Sequence, residues 1–279
     1  MYQQILRLRK TTFSKYLKNG CCAVKASVII PYYERFHHLE QTLQAISSQS
    51  EKDYEIIVID DGSSQSIEKR IPSHVRLIRT SHRGAAAARN SGIAVAKGEI
   101  LIFLDSDIVV DQYFVRNHWI FHDQHPQMVG LGFRRHMNSA GDVQSLDTRL
   151  KLLARYDKKI SELRYPWFMT YTCNVSVPRA LALNELFDEN YVAWGLEDSE
   201  WAYRLHCRGY DFAFIETVTT THLYHDRTMT PEKFQSWKNN LAYTIAKHPK
   251  LVVLECFKDV FDSDKQVDYF QTYDKFEGA

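Results

Sequence analysis

The chain has 279 residues, 44% of them hydrophobic and 13% aromatic, and a formal net charge of +1. That composition excludes a disordered chain, and the balanced charge gives no global field for nucleic acid. No stretch reaches the roughly 18 apolar residues that span a bilayer; the five cysteines form no CxxC pair and no signal peptide is visible, so a soluble cytoplasmic protein with reduced thiols is expected.

Residues 1–25 carry Arg7, Arg9, Lys10, Lys15, Lys18 and Lys25 without an acid. This basic arm reads as a helix packed on the domain; the alternative is peripheral contact with the inner, anionic face of a membrane. From Ala26 strand-like and helical runs alternate. Ser27-Val28-Ile29-Ile30 is a β-rich run stopped by Pro31, and Leu39, Leu43 and Ile46 recur at helical spacing over 36–49. Residues 54–59 form a buried strand ended by Asp60-Asp61-Gly62-Ser63-Ser64, and residues 75–78 a shorter third. An alanine-rich helix over 84–97 is closed by Gly98, and the apolar run 100–104 is the next strand. This order predicts a doubly wound α/β half with parallel strands covered on both faces.

The second half is less regular. It reads as a helix over 151–163, a strand over 171–177 ended by Pro178, a helix over 197–208 capped at Gly209, and strands over 212–215 and 218–224. One domain spanning 26–225 is expected, with a nucleotide half at 26–115 and an acceptor and catalytic half at 116–225. A helical extension with a frayed tail follows at 226–279.

In open α/β sheets ligands bind beyond the carboxyl ends of the strands. Three strand ends carry polar groups of the right type. The first offers Pro31, Tyr33 and Glu34, where an aromatic ring can stack on a base. The second offers Asp61, able to accept a hydrogen bond from a base N–H, although Asp-Asp-Gly is also an ordinary turn. The third offers Asp105-Ser106-Asp107, whose hard oxygens suit Mg²⁺ or Mn²⁺ but which alone reads equally as a solvated turn. Between them, Gly84 and the alanines after it let a ligand approach a helix start, and Arg89 can supply the charge a diphosphate needs.

Taken together, residues 28–34, 58–63, Ala88-Arg89-Asn90-Ser91-Gly92 and 103–107 closely resemble the motifs of the family 2 glycosyltransferases, in order and spacing, over residues 26–115. The resemblance implies a GT-A fold, a Rossmann-like, mostly parallel sheet flanked by helices, and a nucleotide-sugar donor, usually a UDP-sugar. It also implies a divalent metal on the Asp-x-Asp pair. Carried over, Tyr33 and Asp61 flank the base, Arg89 and Asn90 lie by the nucleotide, Asp107 ligates the metal, and Asp105 contacts ribose or metal-bound groups. The segment Trp194-Gly195-Leu196-Glu197-Asp198 is similar to the Gly-x-Glu-Asp element of family 2 and galactosyltransferase-like enzymes, whose aspartate is the catalytic base. On that reading Asp198 takes the acceptor proton and is kept ionised by its helix N-terminus, Glu197 hydrogen-bonds the acceptor, and Trp194 forms a stacking wall.

Thr221-His222-Leu223-Tyr224-His225 holds two histidines three apart, which point to opposite faces if the strand continues. The same resemblance implies a metal-ligating histidine after a strand here; His225 fits best and His222 is the second choice. The implied activity is inverting transfer of a hexosyl or N-acetylhexosaminyl group to a glycan, lipid-linked or peptide hydroxyl. The rivals are a nucleotidyltransferase, whose glycine-rich loop is missing after the first strand, and a non-catalytic module, which would have lost Asp107 or Asp198. Donor-sugar identity is expected to depend on residues between 130 and 175, among them Phe133, Arg134, Arg135 and Trp167.

Overall fold

A computed structural model describes residues 24–156, 159–191, 193–226 and 228–257. The basic arm, apart from Val24 and Lys25, and the polar tail lie outside the described residues.

The first four strands are β1 (Ala26–Tyr32), β2 (Tyr54–Asp60), β3 (Val75–Arg79) and β4 (Ile100–Leu104). All are parallel, in the order β3-β2-β1-β4. Their apolar runs are continuous because both faces are covered. Ile29, Ile57 and Phe103 point into one core cluster, while Val28, Val58 and Ile102 point into the other. Helix α1 (Phe36–Ile46) buries Phe36, Leu39, Leu43 and Ile46 against the second cluster. On the opposite face lies α2 (Ala85–Val95), whose Gly92 admits the Ile29 side chain where a β-carbon would collide with it.

The sheet continues beyond the nucleotide half as a mixed one. Strand β5 (Ile108–Val109) leads to α3 (Phe114–Gln124), β6 (Met128–Met137) and β7 (Val143–Leu146). After α4 (Thr148–Tyr156) come β8 (Asn174–Pro178), α5 (Arg179–Asn184), α6 (Glu197–Cys207), β9 (Asp211–His222) and α7 (Pro231–Lys247). Strand β8 runs antiparallel between β4 and β6, and β9 pairs parallel to β6 and antiparallel to β5. Trp237 and Leu241 of α7, with Leu251 and Leu254 after it, join the same core cluster as α2 and α6.

Three expected elements differ. The helix placed over 151–163 is α4, which starts earlier, and a separate 3₁₀ turn follows at Ile160–Glu162. The strand expected from Tyr171 begins only at Asn174, because the Asn174 N–H bonds back to the Tyr171 carbonyl at 3.2 Å and turns residues 171–173 out of the sheet. The two strands expected over 212–224 are the single strand β9. It advances from Phe214 to Thr219 while its partner advances only from Leu131 to Phe133, so a bulge near Glu216 interrupts the pattern without ending the strand.

Candidate active site

The carboxyl ends of β1, β2 and β4 open into a cleft of about 1180 Å³, closed on the far side by α6, the 193–196 loop and the end of β9. Pro31, Tyr33, Asp61, Gly84, Arg89 and Asp105 line its nucleotide half. Ser106, Asp107, Trp194, Glu197, Asp198 and His225 line it too, so most of the residues expected from the sequence meet in one place.

Asp61 is buried, and its carboxylate accepts from the Arg83 N–H at 2.9 Å and the Gly84 N–H at 2.8 Å. Gly84 has φ +90°, a conformation that favours glycine. Beside this turn, exposed Tyr33 stacks on His82 with ring centroids 4.2 Å apart and planes 22° apart. Two expected contacts fall elsewhere. Glu34 is absent from the cleft lining, since its carboxylate binds the Ser64 N–H at 2.6 Å and clamps the β1 loop to the β2 loop. Asn90 is also absent, since its amide holds the Phe187 main chain through two bonds of 2.9 Å and Glu189 through a third. Both residues shape the cleft from behind.

Arg89 is 3% exposed and bridges the halves of the domain. Its Nη2 lies 3.2 Å from Asp105 Oδ1, and its Nη1 lies 3.3 Å from Glu197 Oε1 at the head of α6. Burial pushes the Asp105 carboxyl up despite Arg89, and the nearby Asp107 adds to the rise.

Asp198, one residue into α6, accepts from the Ser199 N–H at 2.8 Å. Here the expectation of a base held ionised by the helix start is corrected. Removal from water, with the charge of Glu197 second, pushes its carboxyl up to about 7 against the opposing pull of Arg89 and two main-chain hydrogen bonds. Helix α6 is fixed from behind by fully buried Glu200, which accepts from Arg204, Lys247 and His248, each at 2.8 Å, tying it to α7 and the residue after it.

The second acid of the Asp-x-Asp pair faces both histidines. His225 Nε2 lies 3.2 Å from Asp107 Oδ2, and His222 Nε2 lies 3.7 Å from Asp107 Oδ1. One donor atom from each lies within 4.8 Å of the others. The sequence argument that both could not face one ion assumed a continuing strand. Strand β9 ends at His222, and the turn after it swings His225 to the same side. The Nδ1 atoms of His222 and His225 bond the main-chain carbonyls of Leu223 and Asp226, at 3.0 and 2.9 Å. A carbonyl only accepts, so Nδ1 carries the proton and the Nε2 lone pairs are directed at Asp107. Asp107 Oδ1 is shielded from water without a hydrogen-bond partner. Two imidazole lone pairs and an unsatisfied carboxylate oxygen at one point fit a divalent cation. Burial would raise the Asp107 carboxyl, but when the imidazoles are protonated at Nε2 as well, His225 and His222 hold it below its ordinary value.

Sequence reasoning left out His82 and His136, both of which line the cleft. Of the four residues expected to select the donor sugar, Arg134 alone lines it. Trp167 is 1% exposed in the core, Phe133 stacks on Phe214 at 4.5 Å, and Arg135 turns to Thr221.

A family model described as Glycosyl transferase family 2 matches residues 27–187. The chain is 27% identical over 260 residues to the validoxylamine A glucosyltransferase of Streptomyces hygroscopicus subsp. jinggangensis, covering 81% of this chain and 61% of that enzyme. It thus spans about three fifths of that relative's length. Among solved structures it is similar to residues 1–349 of S. aureus TarS in complex with UDP-GlcNAc, with TM-score 0.59, 16% identity and coverage of 90% of this chain and 70% of that one. It is similar also to GalNAc-T7 with UDP, GalNAc and Mn²⁺, with TM-score 0.61, 18% identity and coverage of 91% and 56%. At these identities the structures speak for the fold, which is GT-A. Among the described residues no helix is long and apolar enough to cross a membrane.

Proposed function

The chain belongs to glycosyl transferase family 2, and from that premise we propose that it moves a hexosyl or N-acetylhexosaminyl group from a UDP-sugar to an acceptor hydroxyl with inversion. The observation that carries this reading is that Asp198 faces the same cleft as the Asp107–His222–His225 cluster, with Arg89 between the two carboxylate groups Asp105 and Glu197. The UDP-GlcNAc held by TarS and the UDP held by GalNAc-T7 support a UDP-sugar donor.

In this reading Tyr33 and His82 offer the base a stacked aromatic face, and the turn fixed by Asp61 shapes the pocket around it. Arg89 places positive charge beside the departing diphosphate. Asp107, His222 and His225 would hold a divalent cation, and one carboxylate with two imidazoles suits Mn²⁺ better than Mg²⁺, which prefers an all-oxygen shell. When bound, that ion supplies Lewis-acid stabilisation of diphosphate charge. Asp198 removes the proton from the acceptor hydroxyl as its oxygen bonds to the anomeric carbon and the bond from that carbon to the diphosphate breaks. A carboxyl with its pKa near 7 is well matched to that task, being a stronger base than a solvated aspartate yet substantially ionised at neutral pH. Trp194, at 42% exposed, offers the acceptor a stacking surface, and the acceptor is a glycan, a lipid-linked sugar or a peptide.

UDP release from a panel of UDP-sugars with Mn²⁺, with products read by mass, tests the assignment. Asp198→Asn should bind UDP as the wild type does and turn over roughly 1,000-fold or more slowly. Failure of every nucleotide-sugar to bind would overturn the reading.

A further inference from the structure

Strand β6 turns Arg134 and His136 toward the cleft at alternate positions, on the wall that also carries Thr148, Phe168 and Tyr171. Among the described residues no carboxylate lies within ion-pair distance of the Arg134 guanidinium, although the charge of Asp147 acts on it from farther off. Its guanidinium lies 4.3 Å from the Tyr171 ring centroid, its Nη1 contacts Cys173 Sγ at 3.4 Å, and its Nε is shielded from water without a hydrogen-bond partner. Burial keeps the Cys173 thiol protonated, so the sulfur is no counter-ion.

The nearest candidate anion is Asp147, and it is already engaged. Its Oδ1 accepts from the Arg149 N–H and Nε, at 3.0 and 2.9 Å, and its Oδ2 accepts from Arg149 Nη2 at 2.6 Å. The Arg134 main-chain N–H takes the remaining position on Oδ2 at 3.1 Å, which fixes the backbone of Arg134 while leaving its side chain unpaired. Arg149 donates two further N–H groups to the Met169 and Gly132 carbonyls, both at 2.7 Å. Two guanidinium groups thus face one carboxylate, and this wall holds a surplus positive charge. A partly desolvated cation is costly unless something neutralises it. The opposite wall has the reverse imbalance, with Asp105, Glu197 and Asp198 around Arg89 alone.

We propose that Arg134 is the recognition point for an anionic group, a phosphate or a carboxylate, carried by the acceptor. This rests on the glycosyl-transfer reading and adds the acceptor's chemical class to it. A guanidinium stacked on an aromatic ring and anchored through its own main chain is preorganised for a planar pair of oxygens. Arg134 lies on β6, apart from the Tyr33 and Asp61 turn, and the UDP arm of the test below separates an anion on the acceptor from the donor's own diphosphate.

The test is binding, measured by calorimetry, of three oligosaccharides that differ only in a terminal glucose, glucuronate or glucose 6-phosphate, alongside UDP. The wild type should bind one or both acidic glycans about 10- to 100-fold more tightly than the neutral one, as expected for a charge-assisted hydrogen bond. Which acid wins separates an acidic sugar from a phosphorylated one. Arg134→Met should abolish the preference and Arg134→Lys should keep part of it, while an unchanged melting temperature for Arg134→Lys excludes misfolding. Equal affinity for all three glycans in the wild type, or an undiminished preference in Arg134→Met, overturns the proposal. So does a loss in Arg134→Met that falls on UDP instead of the glycans. Failure of the wild type to bind UDP while the acidic preference persists would sink the glycosyl-transfer reading and leave the anion site standing.

Discussion

Arg89 Nη1 sits 3.3 Å from Glu197 Oε1, so one buried guanidinium joins the helix of the nucleotide half to the helix that carries the proposed base. With Asp105 on its other side, Arg89 sets how far the end of β4 stands from the head of α6. Arg89→Met leaves Asp105, Glu197 and Asp198 facing one another without a cation. It should cost about 3 kcal/mol of stability, the usual penalty for breaking a buried ion pair. It should also lower kcat/KM more than 100-fold and move the acidic limb of the pH profile upward, because Arg89 opposes the rise in the Asp198 carboxyl. Denaturant melts and pH–rate profiles of the refolded variant check all three.

The pH dependence of the wild type follows from Asp198. A base must be deprotonated, so activity should rise as pH increases through about 7 and level off above it. A solvated aspartate would place that limb near 4. Asp198→Asn should reduce kcat by roughly 1,000-fold or more with UDP affinity retained. A profile flat between pH 5 and 8 would remove Asp198 from the role of base.

The cluster around Asp107 makes a separate claim. Asp107→Asn should abolish Mn²⁺ binding seen by calorimetry, and His222→Ala and His225→Ala should each weaken it by at least roughly 100-fold. Chelation should stop turnover and added Mn²⁺ restore it. If only His225→Ala affects Mn²⁺, then His222 is a bystander.

How much of this could be read from the sequence depended on whether function agreed with periodicity. Strands β1, β2 and β4 were legible because burial on both faces makes their apolar runs continuous, and the acids at their ends stand out against that pattern. Strand β6 was not legible, because two glycines interrupt its apolar start and Arg134 and His136 occupy positions turned to the cleft. The joint role of His222 and His225 was hidden for a different reason. It depends on where β9 ends, and strand ends are not fixed by the residues on either side. The pKa of Asp198 depends on burial and on Glu197 and Arg89 meeting it in the fold, whereas the sequence exposes only the favourable helix start.

The last expectation concerns stability. His118 and His122 of α3 lie buried against β8; His118 bonds Ser176 and Asn174 at 2.8 and 3.2 Å, and His122 bonds Ser176 at 2.8 Å. Burial lowers their pKa values to about 3 and about 4, since a charged imidazole there would lose its hydration. In the unfolded chain both titrate near 6.5, so between that value and 4 the unfolded state binds more protons than the folded one. Their contribution is therefore complete above pH 6.5 and shrinks as pH falls, by up to about 1.4 kcal/mol per pH unit for each histidine. The melting temperature should drop steeply between pH 6.5 and 4. Replacing both by glutamine, which retains a partner for Ser176 but takes up no proton, should flatten that slope even if the variant is less stable at pH 7. An equally steep slope in the double variant would assign the acid sensitivity to other groups.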